Sequence, residues 1–369
     1  MPTVGAIAGL LESWWPSRLA ATWDNVGLLL GNRNRSIHCL LTCLTITRSV
    51  VEEAIEFGAG MIVTHHPVFF SPAKRITGDT IQGQNLLGLL AKDIAVYSPH
   101  TAHDSACGGV NDQIAALLDL DVVKPLRPNE GPGKYKLVVF VPEESLESVS
   151  QAVFQAGGGR IGNYTECSFR QPGTGTFLPG QGSQPSIGAL GKKEAVQEVR
   201  VEYLCERNCL DKAIQAMRAS HPYEEPAYDL YPLAPSLASE GEGRIGRLRN
   251  PSSAIDLARL CQQVFGARQV QLIGPIERMI QTVAIGCGAA GGWALDAKNK
   301  GADLFITGEM RYHEELEAYQ AGISVILLGH HASERFAMVR MAQRLGAEWG
   351  GMKILAARND DLERHFFLA

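Results

Sequence analysis

The sequence predicts an α/β protein: a discontinuous main domain with a mainly parallel sheet flanked by helices, plus an inserted α+β ferredoxin-like domain. Short apolar runs alternate with helical segments near both ends of the chain, which is the pattern of the βαβ units that build parallel sheets. The composition changes near Pro128 and Pro235, and the region between them repeats a strand–helix pattern twice, as ferredoxin-like modules do. We therefore expect the main domain at residues 1–130 and 236–369 and the insert at residues 131–235.

Length and composition limit the class of protein. The 369 residues suffice for about two domains, and 45% hydrophobic with 20% charged residues is a globular composition. A net charge of −5 indicates no basic surface and argues against nucleic acid as a partner. The eight cysteines include no CxxC pair, so reduced thiols are the simpler interpretation. No run of 18 or more apolar residues occurs, and no basic region precedes an apolar stretch near residue 1, so we expect a cytoplasmic protein without a membrane partner.

The first segment of the chain predicts a helix, two strands, a second helix and a third strand. These are expected at Val4–Trp15, Leu28–Leu30, Cys39–Ile46, Ser49–Gly58 and Met61–Val63. Pro67 cannot donate a hydrogen bond to a neighbouring strand and ends the third strand. His65 and His66 therefore lie at its carboxyl end, where open α/β sheets bind ligands. Taken alone, the pair would be explained equally well as hydrogen-bonded turn residues. Asp24 and Asn25, before the first strand, are interpreted as turn residues in preference to site residues.

The next segment repeats the pattern, with a helix at Gln84–Leu90 and a strand at Ile94–Tyr97. This strand too ends in polar groups, which include His100, His103 and Asp104. The following loop opens another helix, and either Asn111 or Asp112 is expected as its N-cap.

The insert predicts two strand–helix pairs and a closing strand. They are expected at Tyr135–Val141, Ser145–Ala156, Val199–Leu204, Leu210–Ala219 and Ala227–Tyr231. The glycine-rich span Gln171–Gly191 is interpreted as a mobile loop, because the chain has no GxxxxGK[ST] phosphate-binding motif.

The last third returns to the α/β pattern. A helix is expected at Ala254–Phe265, and strands at Gln269–Leu272, Thr282–Ile285, Leu304–Ile306 and Val325–Leu328. Gly286–Gly292 is expected to form a loop of small residues that would let the backbone approach a ligand or another element closely. Packing alone would explain the small residues equally well. The last two strands end in polar groups, and the second continues into a helix as far as Leu345.

Four predicted strands thus end in metal-ligating or proton-transferring side chains. These are His65 and His66; His100, His103 and Asp104; Glu309 and His313; and His330, His331 and Glu334. Since the carboxyl ends of parallel strands lie along one edge of a sheet, we expect the four groups to converge. Seven of the ten histidines lie in these places, which core packing explains poorly.

Spacing selects a ligand set from these groups. His330 and Glu334 lie four apart at a helix start and face the same side, whereas His331 points about 100° away and is interpreted as packing or supporting. Asp104 is preferred to His103 because a carboxylate bridges two ions. Together with His65 and His66 this makes five ligands, more than the three that a mononuclear catalytic zinc site usually has. The set therefore indicates two divalent ions such as zinc, iron or manganese.

As an ordered set, the motifs resemble the GTP cyclohydrolase 1 type 2 homologue family, also called the Nif-three-like family, over nearly the whole chain. The matching stretches are Trp23–Leu28, Thr64–Pro67, His100–Asp104, Gly108–Asp112, Thr307–Glu309, Tyr312 and His313, and Gly329, His330 and Glu334. The resemblance implies a binuclear metal centre at the same five residues and a toroidal homohexamer whose centres face an internal cavity. His221–Pro226 resembles the signature of a PII/CutA-like domain that longer members carry.

Two residues depart from the family pattern: Thr45 stands where an aspartate is usual, and His103 where an apolar residue is usual. The resemblance implies a metal-dependent hydrolase that acts on a nucleotide-like or heterocyclic small molecule. The candidate catalytic residues are Glu309, His313, His100 and His103, and Arg311 is a further candidate for substrate contact. The alternative is a non-enzymatic, metal-loaded hexameric ring that acts as a scaffold, chaperone or sensor, with the insert as regulatory element.

Overall fold

The computed structural model describes residues 1–71, 73–128, 133–233 and 239–361. The chain divides into two compact units. The first, which we call the main unit, comprises residues 1–129 and 238–369, and the second, the inserted unit, comprises residues 130–237.

Eleven α-helices occur in the described part of the chain. They are α1 Val4–Trp14, α2 Arg48–Phe57, α3 Ile81–Ala91, α4 His100–Ser105, α5 Val110–Leu117, α6 Leu146–Gln155, α7 Arg207–Ser220, α8 Ala254–Phe265, α9 Ala294–Asn299, α10 Tyr312–Gln320 and α11 His330–Glu348.

Seventeen strands occur in the same residues. They are β1 Gly27–Leu30, β2 Cys39–Cys43, β3 Met61–Thr64, β4 Ala95–Ser98, β5 Leu120–Lys124, β6 Arg127–Pro128, β7 Lys134–Pro142, β8 Ser168–Phe177, β9 Glu194–Glu206, β10 Tyr228–Pro232, β11 Gly241–Glu242, β12 Arg244–Ser253, β13 Gln271–Ile273, β14 Met279–Gly286, β15 Leu304–Thr307, β16 Ser324–Leu327 and β17 Lys353–Ala356.

The main unit contains two large mixed sheets. The prediction of a single, mainly parallel sheet is therefore wrong. The first sheet has the order β1-β4-β3-β2-β17, in which only β1 is antiparallel to its neighbour. The second has the order β13-β16-β15-β14-β12-β5, in which β14, β15 and β16 are parallel and the others antiparallel. The sequence patterns did not predict β12, because its exposed, charged residues interrupt the apolar pattern of a strand. They also did not predict β17, which follows the last predicted helix.

One hydrophobic core joins these two sheets. It includes Leu11 and Trp15 at the end of α1, Met61 on β3, Ile306 on β15 and Met338 on α11. Because strands of both sheets contribute to the same core, the carboxyl ends of their parallel strands can present side chains to a common site.

Local capping explains why several helix boundaries were predictable. The Thr47 hydroxyl accepts a hydrogen bond from the Val50 amide at the start of α2, and Gly58 ends that helix with a φ of +71°. The Ser253 hydroxyl accepts from the Asp256 amide at the start of α8, whose observed bounds match the prediction. For α5, however, the N-cap is Gly109. The expected cap Asp112 instead accepts from the Gly108 amide at 2.7 Å.

The inserted unit is a four-stranded antiparallel sheet with the order β10-β7-β9-β8 and two helices. Its strand–helix–strand–strand–helix–strand connection is that of a ferredoxin-like module. The helices α6 and α7 cover one face, where Val139, Val201 and Tyr203 form the core.

One feature of the inserted unit was not expected. The glycine-rich span predicted as a loop contains most of β8, which pairs with β9 over ten residues. Glycine and proline weaken strand patterns, and Pro172 is tolerated because β8 lies at the sheet edge. In the described ranges, no helix has the length and apolar character needed to cross a membrane.

Candidate metal centre

The main unit brings members of all four predicted polar groups together, with Glu309 representing the group after β15. His65 and His66 follow β3, and Asp104 lies on the short helix α4, which follows β4. His330 and Glu334 lie in the first turn of α11, which follows β16 of the other sheet. The site therefore forms where parallel strands of both sheets end, as expected for open α/β sheets.

The Glu334 carboxylate lies at the middle of the cluster and is nearly fully buried. Its Oε2 lies 3.1 Å from His66 Nε2 and 3.3 Å from His330 Nε2. Its Oε1 lies 3.8 Å from His65 Nε2. His66 Nε2 and His330 Nε2 are themselves only 3.3 Å apart. One carboxylate thus lies next to all three imidazoles.

Two groups of three donors have ligand atoms within 4.8 Å of one another. One is His65, His66 and His100, and the other is His66, His330 and Glu334. The groups overlap at His66, so the donors form one extended cluster rather than two separate sites. Imidazole and carboxylate donors in this combination suit first-row transition metals.

Three of the imidazoles have their Nδ1 atoms held by an oxygen atom. Thr45 Oγ1 lies 2.6 Å from Nδ1 of His66, and Asp24 Oδ1 lies 2.8 Å from Nδ1 of His100. Glu309 Oε1 lies 3.0 Å from Nδ1 of His330. An oxygen that accepts the Nδ1 proton leaves the Nε2 lone pair free for a metal or a proton, which is the usual support of metal-ligating histidines.

Other buried polar atoms of the cluster have no hydrogen-bond partner among the described residues. They are both ring nitrogens of His65 and Oδ1 of Asp104. His65 Nε2 and Asp104 Oδ1 face each other at 3.6 Å, too far for a hydrogen bond. Buried polar atoms without partners are costly, and a cation bound between them would satisfy both. The residues therefore fit a metal ion.

Burial and the carboxylates act in opposite directions on the histidines. Burial opposes a charge on His65, but Asp104 and Glu334 outweigh it and raise its pKa. For His66 burial prevails and the pKa falls. The hydrogen bond to Glu334 raises the pKa of His330 to about 9. Burial would raise the pKa of Glu334, yet the imidazoles of His65 and His330 hold it well below its usual range. Metal binding would therefore release protons from these imidazoles.

The glycine-rich loop after β14 packs directly against the cluster. A Cβ on Gly288, whose φ is +62°, would come within 2.3 Å of Glu334 Oε1. The Gly288 amide also donates to Ser333 Oγ at 3.0 Å. The backbone of this loop therefore lies close to Glu334 and Ser333 at the start of α11.

His100 is held in an uncommon backbone conformation. It is buried and has a φ of +29°, a region that residues other than glycine seldom adopt. Asp24 also binds Thr101, accepting from its amide at 3.1 Å and from its hydroxyl. The carboxylate therefore supports both the strained backbone and the ring of His100.

The other histidines singled out by the sequence lie elsewhere. His103 is fully buried against Trp15, with 4.0 Å between ring centroids, and its ring centroid is 5.9 Å from that of His65. Burial holds the pKa of His103 well below its usual range, so the ring is neutral. His331 lies 3.6 Å from Asp361. His313 is exposed beside the ring of Tyr312, and in the described residues it belongs to neither donor group.

Sequence reasoning missed two supporting residues. Asp24 was interpreted as a turn residue, and Thr45 was noted only as a departure from a family pattern. Asp24 contacts a histidine 76 positions away and Thr45 one 21 positions away. Position 45 lies two residues after β2, the strand beside β3, so an oxygen-bearing side chain there was the available signal.

The chain was compared with known proteins. The family model Duf34/NIF3 (NGG1p interacting factor 3) matches residues 2–360. A protein of Halalkalibacterium halodurans named GTP cyclohydrolase 1 type 2 homolog is 39% identical over 325 residues, which are 88% of this chain and 87% of the relative. A Bacillus subtilis protein of the same name is 37% identical over 328 residues, 89% of this chain and 88% of the relative.

Solved structures show the same similarity. A crystal structure of a Bacillus cereus protein related to NIF3 has a TM-score of 0.74 and 34% identity, and the match covers 100% of this chain and 99% of that one. A Staphylococcus aureus protein has a TM-score of 0.81 and 25% identity, with 99% of each chain covered.

Proposed function

Because this chain belongs to the Duf34/NIF3 family, we propose that it is a binuclear metal-dependent hydrolase acting on a nucleotide-like or heterocyclic small molecule. The observation that carries the proposal is the set of imidazoles whose Nδ1 atoms are held by oxygens, beside an orphaned carboxylate oxygen of Asp104. The name of the relatives, GTP cyclohydrolase 1 type 2 homolog, favours opening of a guanine-like ring as the reaction class.

The residues that would hold the two ions are His65, His66, Asp104, His330 and Glu334. Zinc, iron or manganese would suit these nitrogen and oxygen donors. When bound, two such ions supply Lewis acidity that activates water and polarises a C=N or acyl carbon.

His100 is our candidate for proton transfer. Its Nδ1 is held by Asp24 at 2.8 Å, and its ring centroid lies 5.2 Å from that of His65 and 5.6 Å from that of His66. With Nδ1–H donating to Asp24, Nε2 would accept a proton from the reacting water and return it to the leaving group. The Asp24 carboxylate would stabilise the imidazolium formed in between. Glu309 would keep the ring of His330 in place.

Metal content tests the proposed centre. The purified protein, reloaded with zinc, manganese or iron(II), should contain close to two ions per chain by elemental analysis, because five ligands serve two ions. Each of His65→Ala, His66→Ala, Asp104→Ala, His330→Ala and Glu334→Ala should lower that content. Glu334→Ala should cause the largest loss, since its carboxylate lies near three imidazoles.

His331→Ala is the matched control, because His331 adjoins a ligand in sequence but lies beside Asp361. It should retain full metal content. A content of one ion or none with every metal would contradict the binuclear proposal.

His100→Gln should retain its metal yet lose turnover in a screen of the loaded protein against a metabolite extract. Turnover equal to that of the unmutated protein would remove His100 from the mechanism.

Two further features are proposed with the function. The toroidal homohexamer is supported by the family resemblance. The PII/CutA-like character of the inserted unit is supported by its ferredoxin-like connection and by the His221–Pro226 motif. In such a ring the centres would face a common cavity.

A further inference from the structure

The inserted unit contains a cavity of about 620 Å³ that is lined only by its own residues and plays no part in the function proposed above. Its volume falls in the range of small-molecule binding sites. The helices α6 and α7 cover the face of the sheet that carries Val139, Val201 and Tyr203. Because strand residues alternate between faces, Phe140, Glu198 and Arg200, which line the cavity, lie on the opposite face.

Aromatic rings form a large part of the cavity lining. Phe140, Phe177 and Tyr223 are all half-buried and line it. The rings of Phe177 and Tyr223 have centroids 6.1 Å apart. Ile187 covers part of the cavity from the segment after β8. The backbone amide of Gln184, in the same segment, donates a hydrogen bond to Glu224 Oε1 at 2.8 Å, which holds the segment in place.

Two glycines leave the floor of the cavity open. Gly173 and Gly175 lie on the cavity face of β8, since Gly173 pairs directly with Glu198 on β9. A Cβ on Gly175 would come within 2.1 Å of Glu198 Oε2, so the absence of a side chain there makes room for the carboxylate. A Cβ on Gly173 would meet nothing closer than 4.0 Å.

The cavity is negatively charged. Glu198, Glu224 and Glu225 line it, and no lysine, arginine or histidine of the described residues forms an ion pair with any of them. The Tyr223 hydroxyl donates to Glu198 Oε1 at 2.9 Å and holds that carboxylate in place. Burial and this carboxylate raise the pKa of Tyr223, so the phenol remains a donor.

The one arginine that lines the cavity does not offset this charge. Arg200 Nη1 lies 2.9 Å from Glu202 Oε1, and Lys136 Nζ lies 3.2 Å from Oε2 of the same carboxylate. His221, which packs against Tyr223, donates from Nε2 to the Phe140 carbonyl at 3.0 Å. Burial lowers the pKa of His221, which leaves its ring neutral. The three lining carboxylates outnumber the one lining arginine, so the cavity favours a cation over an anion such as a nucleotide.

We propose that this cavity binds a small organic cation, an amine or quaternary ammonium that carries an aromatic or aliphatic group. The cationic head would sit between the Glu198 carboxylate and the faces of the aromatic rings, an arrangement that favours ammonium groups. The apolar part would lie over Gly173 and Gly175 and against Ile187.

Calorimetric titration of the full-length, metal-loaded protein with phenethyltrimethylammonium tests this, with 3-phenylpropanol and 3-phenylpropionate as neutral and anionic counterparts. We expect saturable binding of the cation at one site per chain and no saturable binding of the anion.

Glu198→Gln should weaken binding of the cation by at least about tenfold, the loss expected for a charged contact in a partly desolvated site. Gly173→Val should block binding, because its side chain projects into open space. Glu147→Gln, which lies on α6 at the other face, is the matched control and should bind as the unmutated protein does.

Several results would overturn the proposal. They are absence of saturable binding at millimolar phenethyltrimethylammonium, equal affinity for the anion, or unchanged affinity in Glu198→Gln. Should that variant fail to fold, methyl NMR of Ile187 in the unmutated protein decides the matter. A shift of its methyl signals that saturates with the cation supports the site, and no shift refutes it. None of these results depends on the activity of the metal centre.

Discussion

At the scale of single residues, the site depends on oxygen atoms that hold histidine rings. The five proposed ligands could be selected from the sequence because each follows a strand and because His330 and Glu334 share a helix face. The role of the residues that orient the rings could not be assigned. Asp24, Thr45 and Glu309 reach their histidines from other elements, and although Glu309 was singled out at a strand end, no local pattern shows which ring each of them holds.

Asp24 gives a residue-scale prediction about stability. Burial would raise the pKa of its carboxyl, but hydrogen bonds from His100 and Thr101 outweigh this and lower it to about 2. A depressed pKa in the folded state means that the ionised carboxylate stabilises the fold at any pH above the unfolded value of 3.8, and that this contribution is lost as the pH falls towards about 2. Asp24→Asn should therefore lower the free energy of unfolding at pH 7 by on the order of 2 kcal/mol.

Urea unfolding of the metal-free protein at pH 7 and near pH 2.5 checks this. The difference between Asp24→Asn and the unmutated protein should shrink at the lower pH. Asp119→Asn is the control, because Asp119 is 72% exposed in a surface pair with Arg249 and should change stability little. A difference that is the same at both pH values would show that the Asp24 hydrogen bonds do not depend on its charge.

At the scale of secondary-structure elements, helix ends decide where the strands that carry the site begin. Gly58 closes α2 with a φ of +71°, and β3, which ends at the metal centre, starts three residues later. Gly58→Ala would force alanine into the left-handed region and should destabilise the main unit by about 1 kcal/mol. The urea midpoint, followed by circular dichroism, measures this.

Gly9→Ala is the matched comparison, and we expect it to raise the stability that Gly58→Ala lowers. Gly9 lies inside α1, and a Cβ there would meet no atom within 4 Å. Alanine should therefore stabilise the helix by up to about 1 kcal/mol. Equal effects of the two substitutions would mean that backbone conformation does not control the end of α2.

At the scale of the whole molecule, the inserted unit interrupts the main unit at a single place. Pro128 on β6 pairs with Gly241 on β11, and Arg127 forms an ion pair with Glu242 at 2.9 Å. The chain therefore leaves and re-enters the main unit on adjacent strands. The core of the inserted unit consists of its own residues, such as Leu137, Val153 and Met217.

Deletion of residues 134–233 should accordingly leave a folded protein that binds metal, because the two neighbouring strands close the gap. Light scattering should give six subunits for both the full-length and the shortened chain if the main unit forms the proposed ring. Loss of metal with an intact circular dichroism spectrum would contradict the division into units. A stable monomer of the full-length protein would contradict the hexamer.

The sequence by itself determined the α/β class, the bounds of α8, most strand positions and the polar groups at the strand ends. These follow from hydrophobic period, caps and proline or glycine stops, which act over a few neighbouring residues. The tertiary structure alone decided that two sheets share the main unit, that β8 pairs within the glycine-rich span, and that Asp24 holds His100. Each of these depends on contacts between segments distant in sequence, whose geometry no local pattern encodes. The position of Glu334 among three histidines was decided in the same way, because β3 and α11 meet only when both sheets pack on one core.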